Sequence, residues 1–148
     1  MLDSKNRLWF GHENGMLSLL ENGHFRQITP IDAPRSTIRS IREDAQGNIV
    51  ALLQQSGLMV ISPELEVSFI GGDAGDESNP FFGKFLNSFQ ITPQGNLLVG
   101  SNDGLSIYRY DDALETYVNT GEIAQLKYMV VQEIVMAPSG NEYWLGTE

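Results

Sequence analysis

Short apolar stretches alternate along the chain with polar turns rich in Gly, Asn and Asp. Three of these turns, Asn14-Gly15, Ser56-Gly57 and Asp103-Gly104, each separate two apolar stretches. Such dipeptides favour β-hairpins, because Asn, Asp and Gly tolerate a positive φ. No helical spacing of apolar residues is sustained over three turns without Gly or Pro, although residues 120–135 admit one helical turn inside a loop. The pattern therefore predicts an all-β chain of antiparallel strands.

The same pattern recurs in four copies along the chain. Gly47-Asn48, Gly95-Asn96 and Gly140-Asn141 mark a turn in three copies, and Asn6-Arg7 takes the same place in the first. The spacings between these turns are 41, 48 and 45 residues. Each full copy predicts an opening strand, two strands joined by a hairpin turn and a short closing strand. Four strands in about 45 residues is the period of propeller blades, whereas β-solenoids usually have shorter repeats.

The repeat predicts a β-propeller fragment of about three to four four-stranded antiparallel blades. The predicted blades span about residues 1–29, 37–70, 87–118 and 131–148, and the first and last are incomplete. Propellers close with about four to eight blades, so the chain is expected to form roughly half of one. An incomplete ring exposes strand edges, which favours association with the remaining blades or with a second copy of the chain.

The copies resemble the two-component regulator propeller repeat, whose pattern is roughly I-x-S-I, then D-x-x-G-x-L-W-x-G-T, then a G-L strand start. Residues 38–41 and Asp44-x-x-Gly47 match the first part, and residues 8–11 and 144–147 match the L-W-x-G portion. In the third copy Val99 replaces the Trp, and in the second Ala51-Leu52-Leu53 stands where W-x-G-T would be. Because Trp9 and Trp144 occupy equivalent positions, both are expected to pack between blades.

The resemblance implies a role in signal transduction. It implies that the chain is a non-catalytic sensor or recognition segment in the periplasmic, ligand-sensing region of a bacterial membrane receptor. Receptors of this family typically continue into a membrane helix and a histidine kinase or another output module. The expected ligand is a small molecule or a glycan, and no cofactor is expected.

Composition narrows the partners that the chain can have. With 9 basic and 19 acidic residues, the net charge of −10 argues against nucleic acid or an anionic membrane surface as a partner. No apolar run approaches the length of a membrane span, so no direct membrane insertion is expected. The absence of cysteine excludes disulfides, Cys-based zinc sites and thiol catalysis.

Ligand sites on propellers usually lie in the loops on one face. Here these loops are predicted at residues 29–36, 71–86 and 119–130 between blades, and at residues 12–14, 54–56 and 102–103 between middle strands. Within the opening strands, Arg39 borders the central channel of a propeller. Arg39 either binds an anionic ligand or pairs with an acidic residue.

The loop over residues 71–87 joins an acidic segment to an aromatic one. Asp73, Asp76 and Glu77 could supply oxygen ligands to calcium, although their spacing does not match an EF-hand and exposed acids usually interact with solvent. The aromatic residues Phe81, Phe82 and Phe85 form either a contact patch for a ligand or partner, or a packing anchor for the loop.

Two other functional classes remain open from the sequence. An interaction scaffold would use the long aromatic loop and the exposed blade faces. A propeller lyase or hydrolase would need a His-centred site, and the chain offers only His12, beside Glu13, and His24. The sequence therefore favours recognition over catalysis.

Overall fold

The computed structural model describes residues 1–148, and thirteen strands form four separate antiparallel sheets. The first sheet contains β1 (Leu8–Gly11), β2 (Leu17–Glu21) and β3 (His24–Gln27). The second contains β4 (Ile38–Glu43), β5 (Ile49–Leu53), β6 (Gly57–Ile61) and β7 (Val67–Gly71). The third contains β8 (Leu86–Ile91), β9 (Leu97–Ser101), β10 (Gly104–Asp111) and β11 (Thr116–Glu122), and the fourth contains β12 (Val131–Met136) and β13 (Tyr143–Thr147).

Strand order follows chain order in every sheet, as expected of propeller blades. One 3₁₀ turn, Ala124–Leu126, lies in the segment that admitted a helical turn. The prediction of an all-β fragment made of antiparallel blades is confirmed. The strands divide into two compact units, Met1–Gly83 with the first two sheets and Lys84–Glu148 with the last two.

The turn that marks each copy contains a residue with a positive φ in all four copies. Asn6, Gly47, Gly95 and Gly140 adopt positive φ values of 64°, 83°, 80° and 73°. In the first copy the Asp3 amide donates to the Arg7 carbonyl and the Asn6 amide donates to the Asp3 carbonyl, each at 3.0 Å. Corresponding bonds join residues 44–48 and 92–96, while the fourth copy closes one residue later, from the Ala137 amide to the Glu142 carbonyl. The turn accepts one inserted residue without losing its closing bond.

A polar side chain before the turn fixes this geometry in three copies. The Asp3 carboxylate accepts hydrogen bonds from the Arg7 amide (2.8 Å), Arg7 Nε (2.7 Å) and Trp9 Nε1 (2.8 Å). Asp44 accepts from the amide and side chain of Asn48 in the second copy, and Thr92 Oγ1 accepts from the Asn96 amide in the third. The acidic residue of the repeat is therefore an acceptor for the amides of its own turn.

Each unit has its core between its two sheets. In the first unit Trp9, Leu17 and Leu19 face the second sheet and form one buried cluster with its apolar residues Ile41, Ile49, Ala51, Leu53, Met59 and Ile61. In the second unit Leu105 clusters with Val131 and Ile134, and the partly buried Leu98 packs against them. Sheet-on-sheet packing within each unit therefore buries one face of every sheet involved.

The strand register corrects two positions of the sequence alignment. Trp9 pairs with Leu19, Val50 with Val60 and Leu98 with Ile107. Val50, not Ala51, and Leu98, not Val99, therefore occupy the place of the Trp. The error was one residue, which in a strand moves a side chain to the opposite face.

The two tryptophans differ in environment despite their equivalent positions. Trp9 is buried, with 1% of its surface exposed, and packs between the two sheets of the first unit. Trp144 lies on the open face of the fourth sheet and is 60% exposed. The packing predicted for both residues is therefore confirmed for Trp9 and is not observed for Trp144.

Glycines at the end of the L-W-x-G portion allow the closest approach between sheets. A Cβ atom on Gly11 would overlap the Ile38 side chain, and one on Gly100 would lie 2.7 Å from Val131 Cγ1. Ile38 and Val131 both begin opening strands, β4 and β12. Gly146 has the same repeat position in the fourth sheet, and a Cβ atom there would have Glu133 Cβ as its nearest neighbour, at 3.6 Å.

We expect Gly100→Ala to lower the free energy of unfolding by about 1–3 kcal/mol, because the added methyl group overpacks the contact with Val131. The matched control is Gly146→Ala, which has room for the methyl group and should change stability by less than about 0.5 kcal/mol. Urea denaturation measures both. Equal effects of the two substitutions would contradict the role of close approach.

The Asp3 hydrogen bonds also predict a pH dependence of stability. Burial acts to raise the pKa of Asp3, but hydrogen bonds from Trp9 and Arg7 outweigh it, and the pKa lies below its ordinary value. A lowered folded-state pKa stabilises the protein above the unfolded pKa of about 3.9, and this contribution is lost as the pH falls through the folded pKa. Asp3→Asn should therefore cost about 1.5–3 kcal/mol near neutral pH and progressively less in acid. Urea denaturation at a series of pH values checks this, and a pH-independent difference would contradict it.

Candidate functional site

A groove of about 210 Å³ lies at one end of the first sheet. One wall is the turn between β1 and β2, with Asn14, Gly15 and Met16. The other wall consists of Gln27, at the end of β3, and the loop that leads to β4. Both loops are among those that the sequence predicted to carry ligand sites, at residues 12–14 and 29–36.

The walls of the groove are joined by hydrogen bonds. Thr29 Oγ1 is buried and accepts from the Leu17 amide at 2.6 Å. The loop reaches the turn through the Thr37 hydroxyl, which donates to the Glu13 carbonyl at 3.1 Å. Gly15, at φ 80°, lies so close to the loop that a Cβ there would be 2.9 Å from the Pro34 carbonyl oxygen. These contacts hold the groove open in the structure, which suits a preformed ligand site.

The lining combines apolar surface with a few polar groups. Met16 and Ile31 supply the larger apolar side chains, and two prolines restrict the backbone of the loop. Asn14 and Gln27 supply amide groups, and Gln27 Nε2 donates to the Thr29 carbonyl at 3.1 Å. Arg35 is the single charged residue of the lining. The groove can therefore hold a small molecule by packing, amide hydrogen bonds and one positive charge.

Arg39, the channel residue predicted from the sequence, lies outside this groove. It is the additional residue of a β-bulge, since the register between β4 and β5 shifts between Ile38 and Ser40. Corresponding bulges occur in β8, at Asn87, and in β12, at Gln132. The Arg39 side chain is exposed and forms no ion pair, so the acidic partner considered from the sequence is not observed.

The aromatic residues of the long loop have different environments. Phe81 is buried, and its ring lies against Gly57 and Gly71, where a Cβ would approach it to 2.8 and 3.0 Å. Its amide donates to Asn79 Oδ1 at 2.9 Å. Phe82 is about half exposed. Phe81 therefore anchors the loop, and Phe82 alone of the two presents its ring to solvent.

Phe85 belongs to the second unit and is also about half exposed. Its amide donates to Asn102 Oδ1 at 2.8 Å, and its carbonyl accepts from the Asn102 amide at 3.0 Å. These two bonds fix Phe85 beside the hairpin turn between β9 and β10. The structure thus does not bring the three Phe residues together as one patch within either unit.

The acidic residues of the loop do not converge. Asp73, Asp76 and Glu77 are all exposed, and no three His, Asp or Glu side chains of the chain form a group that could hold a metal ion. Asp76 Oδ1 accepts from the amide (2.9 Å) and hydroxyl (2.8 Å) of Ser78. These hydrogen bonds lower the pKa of Asp76. The carboxylate thus stabilises its own turn.

A second exposed feature occurs in the loop between β11 and β12, at residues 123–130. The Met129 amide donates to the Leu126 carbonyl at 3.0 Å, and Tyr128 adopts a φ of 67°. Lys127 Nζ lies 4.9 Å from the centre of the Tyr128 ring, and a hydrogen bond with Tyr128 raises the pKa of Lys127. The lysine thus already occupies one face of this exposed ring.

Sequence reasoning located the loops of the groove but not its lining residues. Arg35 and Gln27 were not singled out, because neither belongs to a motif, and Asn14 was identified only as a turn residue. The available signal was Pro30 and Pro34 in a loop expected to carry a site, since two prolines indicate a rigid backbone.

No protein-family model and no curated protein sequence matches the chain. The structure contains no helix with the length and hydrophobicity of a membrane span.

Solved structures from Bacteroides thetaiotaomicron resemble it along almost its whole length. The extracellular domain of BT4673, designated a hybrid two-component system, has a TM-score of 0.68 and 20% identity, over 97% of this chain and 19% of that one. The extracellular domain of BT3049, with the same designation, has a TM-score of 0.67 and 14% identity, over 99% of this chain and 20% of that one.

A third similar structure is an auxiliary nutrient binding protein of the same organism, with a TM-score of 0.64 and 16% identity, over 99% of this chain and 35% of that one. The chain thus spans between about a fifth and a third of the length of these structures. At these identities the likeness establishes the fold. The resemblance to a two-component regulator propeller is confirmed at that level, and the chain has the fold of a segment of these structures.

Proposed function

We propose that the chain is a non-catalytic ligand-recognition segment in the extracytoplasmic sensing region of a bacterial signalling receptor. The observation that carries this proposal is the preformed groove between the β1–β2 turn and the loop leading to β4. The proposal draws further support from the fold, which is shared with extracellular domains of two-component systems and with a nutrient binding protein. The rest of such a receptor, including its periplasmic placement and output module, is part of the proposal.

The chemistry of the groove supports binding rather than turnover. Its lining offers amides, one guanidinium and apolar surface, which orient a ligand without a group suited to proton transfer near neutral pH. The imidazole of His12 is not part of the lining, and its Nε2 lies 3.0 Å from Ser18 Oγ. A recognition role is consistent with these groups.

Fragment binding followed by protein NMR tests the recognition role. We expect small molecules to shift the backbone amides of Asn14, Gly15 and Ala33 selectively. Ala33→Leu should weaken the shifts by filling the groove, while Ala124→Leu, on an exposed turn of the second unit, should leave them unchanged. A fragment set that never moves the groove amides would contradict the proposal.

A second candidate function is assembly, favoured by the apolar outward face of the first sheet. Phe10 and Phe25 are exposed there with their ring centres 5.4 Å apart, and Leu8 is exposed beside them. The positions of the second sheet that correspond to Leu8 and Phe10 are Ile49 and Ala51, and both are buried against the first sheet. We therefore propose that another sheet of the same repeat covers this face, from the remaining blades or from a second copy of the chain.

Sedimentation equilibrium of residues 1–148 tests assembly through this face. We expect concentration-dependent self-association that Phe25→Ser weakens, because Phe25 is 66% exposed on the proposed contact surface. Leu114→Ser is the control, since Leu114 is similarly exposed in a turn of the second unit. A monomer at every concentration, or equal effects of the two substitutions, would contradict self-association through this face and would leave the remaining blades as its cover.

A further inference from the structure

We infer that the groove of the first unit binds a small carboxylate-bearing molecule, whose carboxylate contacts Arg35 and whose apolar part packs against Met16 and Ile31. This inference rests on the proposed recognition function and specifies the ligand class. It depends on three observations: the charge of the lining, the unpaired state of Arg35 and the size of the groove.

The charge of the groove is opposite to that of the chain. The chain has 19 acidic and 9 basic residues, yet the lining contains no Asp or Glu, and Arg35 is its single charged residue. Two exposed acidic residues, Glu13 and Asp32, are neighbours of lining residues in the sequence but do not line the groove. The charge that a ligand would contact directly inside the groove is therefore the positive charge of Arg35.

Arg35 is available to a ligand. Its side chain is exposed, and it forms no ion pair or side-chain hydrogen bond in the structure. Binding an anion would not require Arg35 to leave an acidic partner. The planar guanidinium matches the two oxygens of a carboxylate, which accepts two parallel hydrogen bonds from it.

One cation suits a singly charged group better than a phosphoryl group. Phosphate sites usually combine several backbone amides at a helix N-terminus or several basic side chains. The lining offers neither, since its other polar side chains are the amides of Asn14 and Gln27 and the Thr29 hydroxyl, which is already bound to the backbone.

The size and walls of the groove specify the rest of the ligand. At about 210 Å³ it is smaller than the roughly 300–1,000 Å³ of sites for drug-sized ligands, so a compact molecule fits. Met16 is half-buried, with its Sδ accepting from Asn14 Nδ2 at 3.0 Å, and Ile31 is exposed. Together they offer apolar surface beside the charge. A short aliphatic carboxylate has this combination.

The test uses residues 1–148 with two probes of matched shape, butyrate and its neutral analogue butyramide. NMR titration of the Gly15 and Ala33 amides gives the dissociation constant for each. We expect butyrate to bind in the millimolar range and about three- to fivefold more tightly than butyramide, which is the range of an exposed ion pair. The preference should shrink between about 0.01 M and 1 M salt.

Two substitutions that remove one positive charge each separate a groove contact from a general charge effect. Arg35→Gln should weaken butyrate three- to fivefold and leave butyramide unchanged. Arg39→Gln is the matched control, because Arg39 is an exposed, unpaired arginine of the same unit outside the groove, and it should leave both probes unchanged. Arg35→Lys keeps the charge without the planar fork and should retain part of the preference.

The outcomes distinguish this inference from the proposed function. Equal binding of butyrate and butyramide at the groove, or equal effects of Arg35→Gln and Arg39→Gln, would overturn the carboxylate ligand and leave groove recognition standing. Butyrate that leaves the groove amides unmoved up to about 50 mM, well above a millimolar dissociation constant, would also overturn the inference. The neutral fragments of the preceding test then decide the recognition function separately.

Discussion

Close packing of the first sheet of each unit against the opening strand of its second sheet is the contact on which the rest of that unit depends. It is tightest at Gly11, against Ile38, and at Gly100, against Val131, where a Cβ atom would overlap the neighbour or crowd it. Glycine there allows the opening strand to lie directly on the preceding sheet, and the larger residues around it, such as Trp9 and Leu98, complete the core. The L-W-x-G portion of the repeat is thus a packing motif, in which a large side chain and a glycine without a side chain lie two residues apart on the same face of the strand.

This packing also places the loops. β1 and β3 are opposite edges of the first sheet, and β4 packs beside β1. The loop from β3 to β4 must therefore cross one end of the sheet, and we call it and the loops that join the other sheets crossing loops. The first crossing loop passes over Gly15, where the Pro34 carbonyl is the nearest group. The hairpin glycines of the other two full copies, Gly57 and Gly104, lie one register position later, where the first copy has Met16. Gly57 lies against the ring of Phe81, and Gly104 lies against the Leu126 carbonyl. In the first copy Met16 at this position lines the groove.

The sequence predicted those parts of the fold that local chemistry encodes. Turn dipeptides and the repeat period predicted the four sheets, because each hairpin depends on residues close in the chain. The place of the repeat Trp was misassigned to Val99 and Ala51. The side of the sheet to which a side chain points depends on strand pairing, and a one-residue shift leaves no sign in a run of apolar residues such as IVALL. Trp144 shows a further limit: sequence gives its repeat position, but burial depends on what packs against that face.

The candidate site was less accessible to sequence reasoning for a related reason. Among the Phe residues of the long loop, Phe81 is selected for the interior by the hydrogen bonds of Asn79, which fold the loop back on Gly57 and Gly71. Nothing in the composition of the loop distinguishes Phe81 from Phe82. Arg35 likewise resembles any exposed arginine until the crossing loop is placed over Gly15.

The repeat itself explains how the first copy can carry a groove on a framework that all copies share. All copies share the same turns, but the crossing loops differ in length and sequence, and they carry no share of the sheet pairing. These loops can therefore vary without disturbing the cores. One of them buries the ring of Phe81, and another forms the groove that Arg35 lines. The ligand chemistry of such a fold thus depends on the crossing loop that forms a groove and on the side chains that line it, which in the first copy include one positive charge.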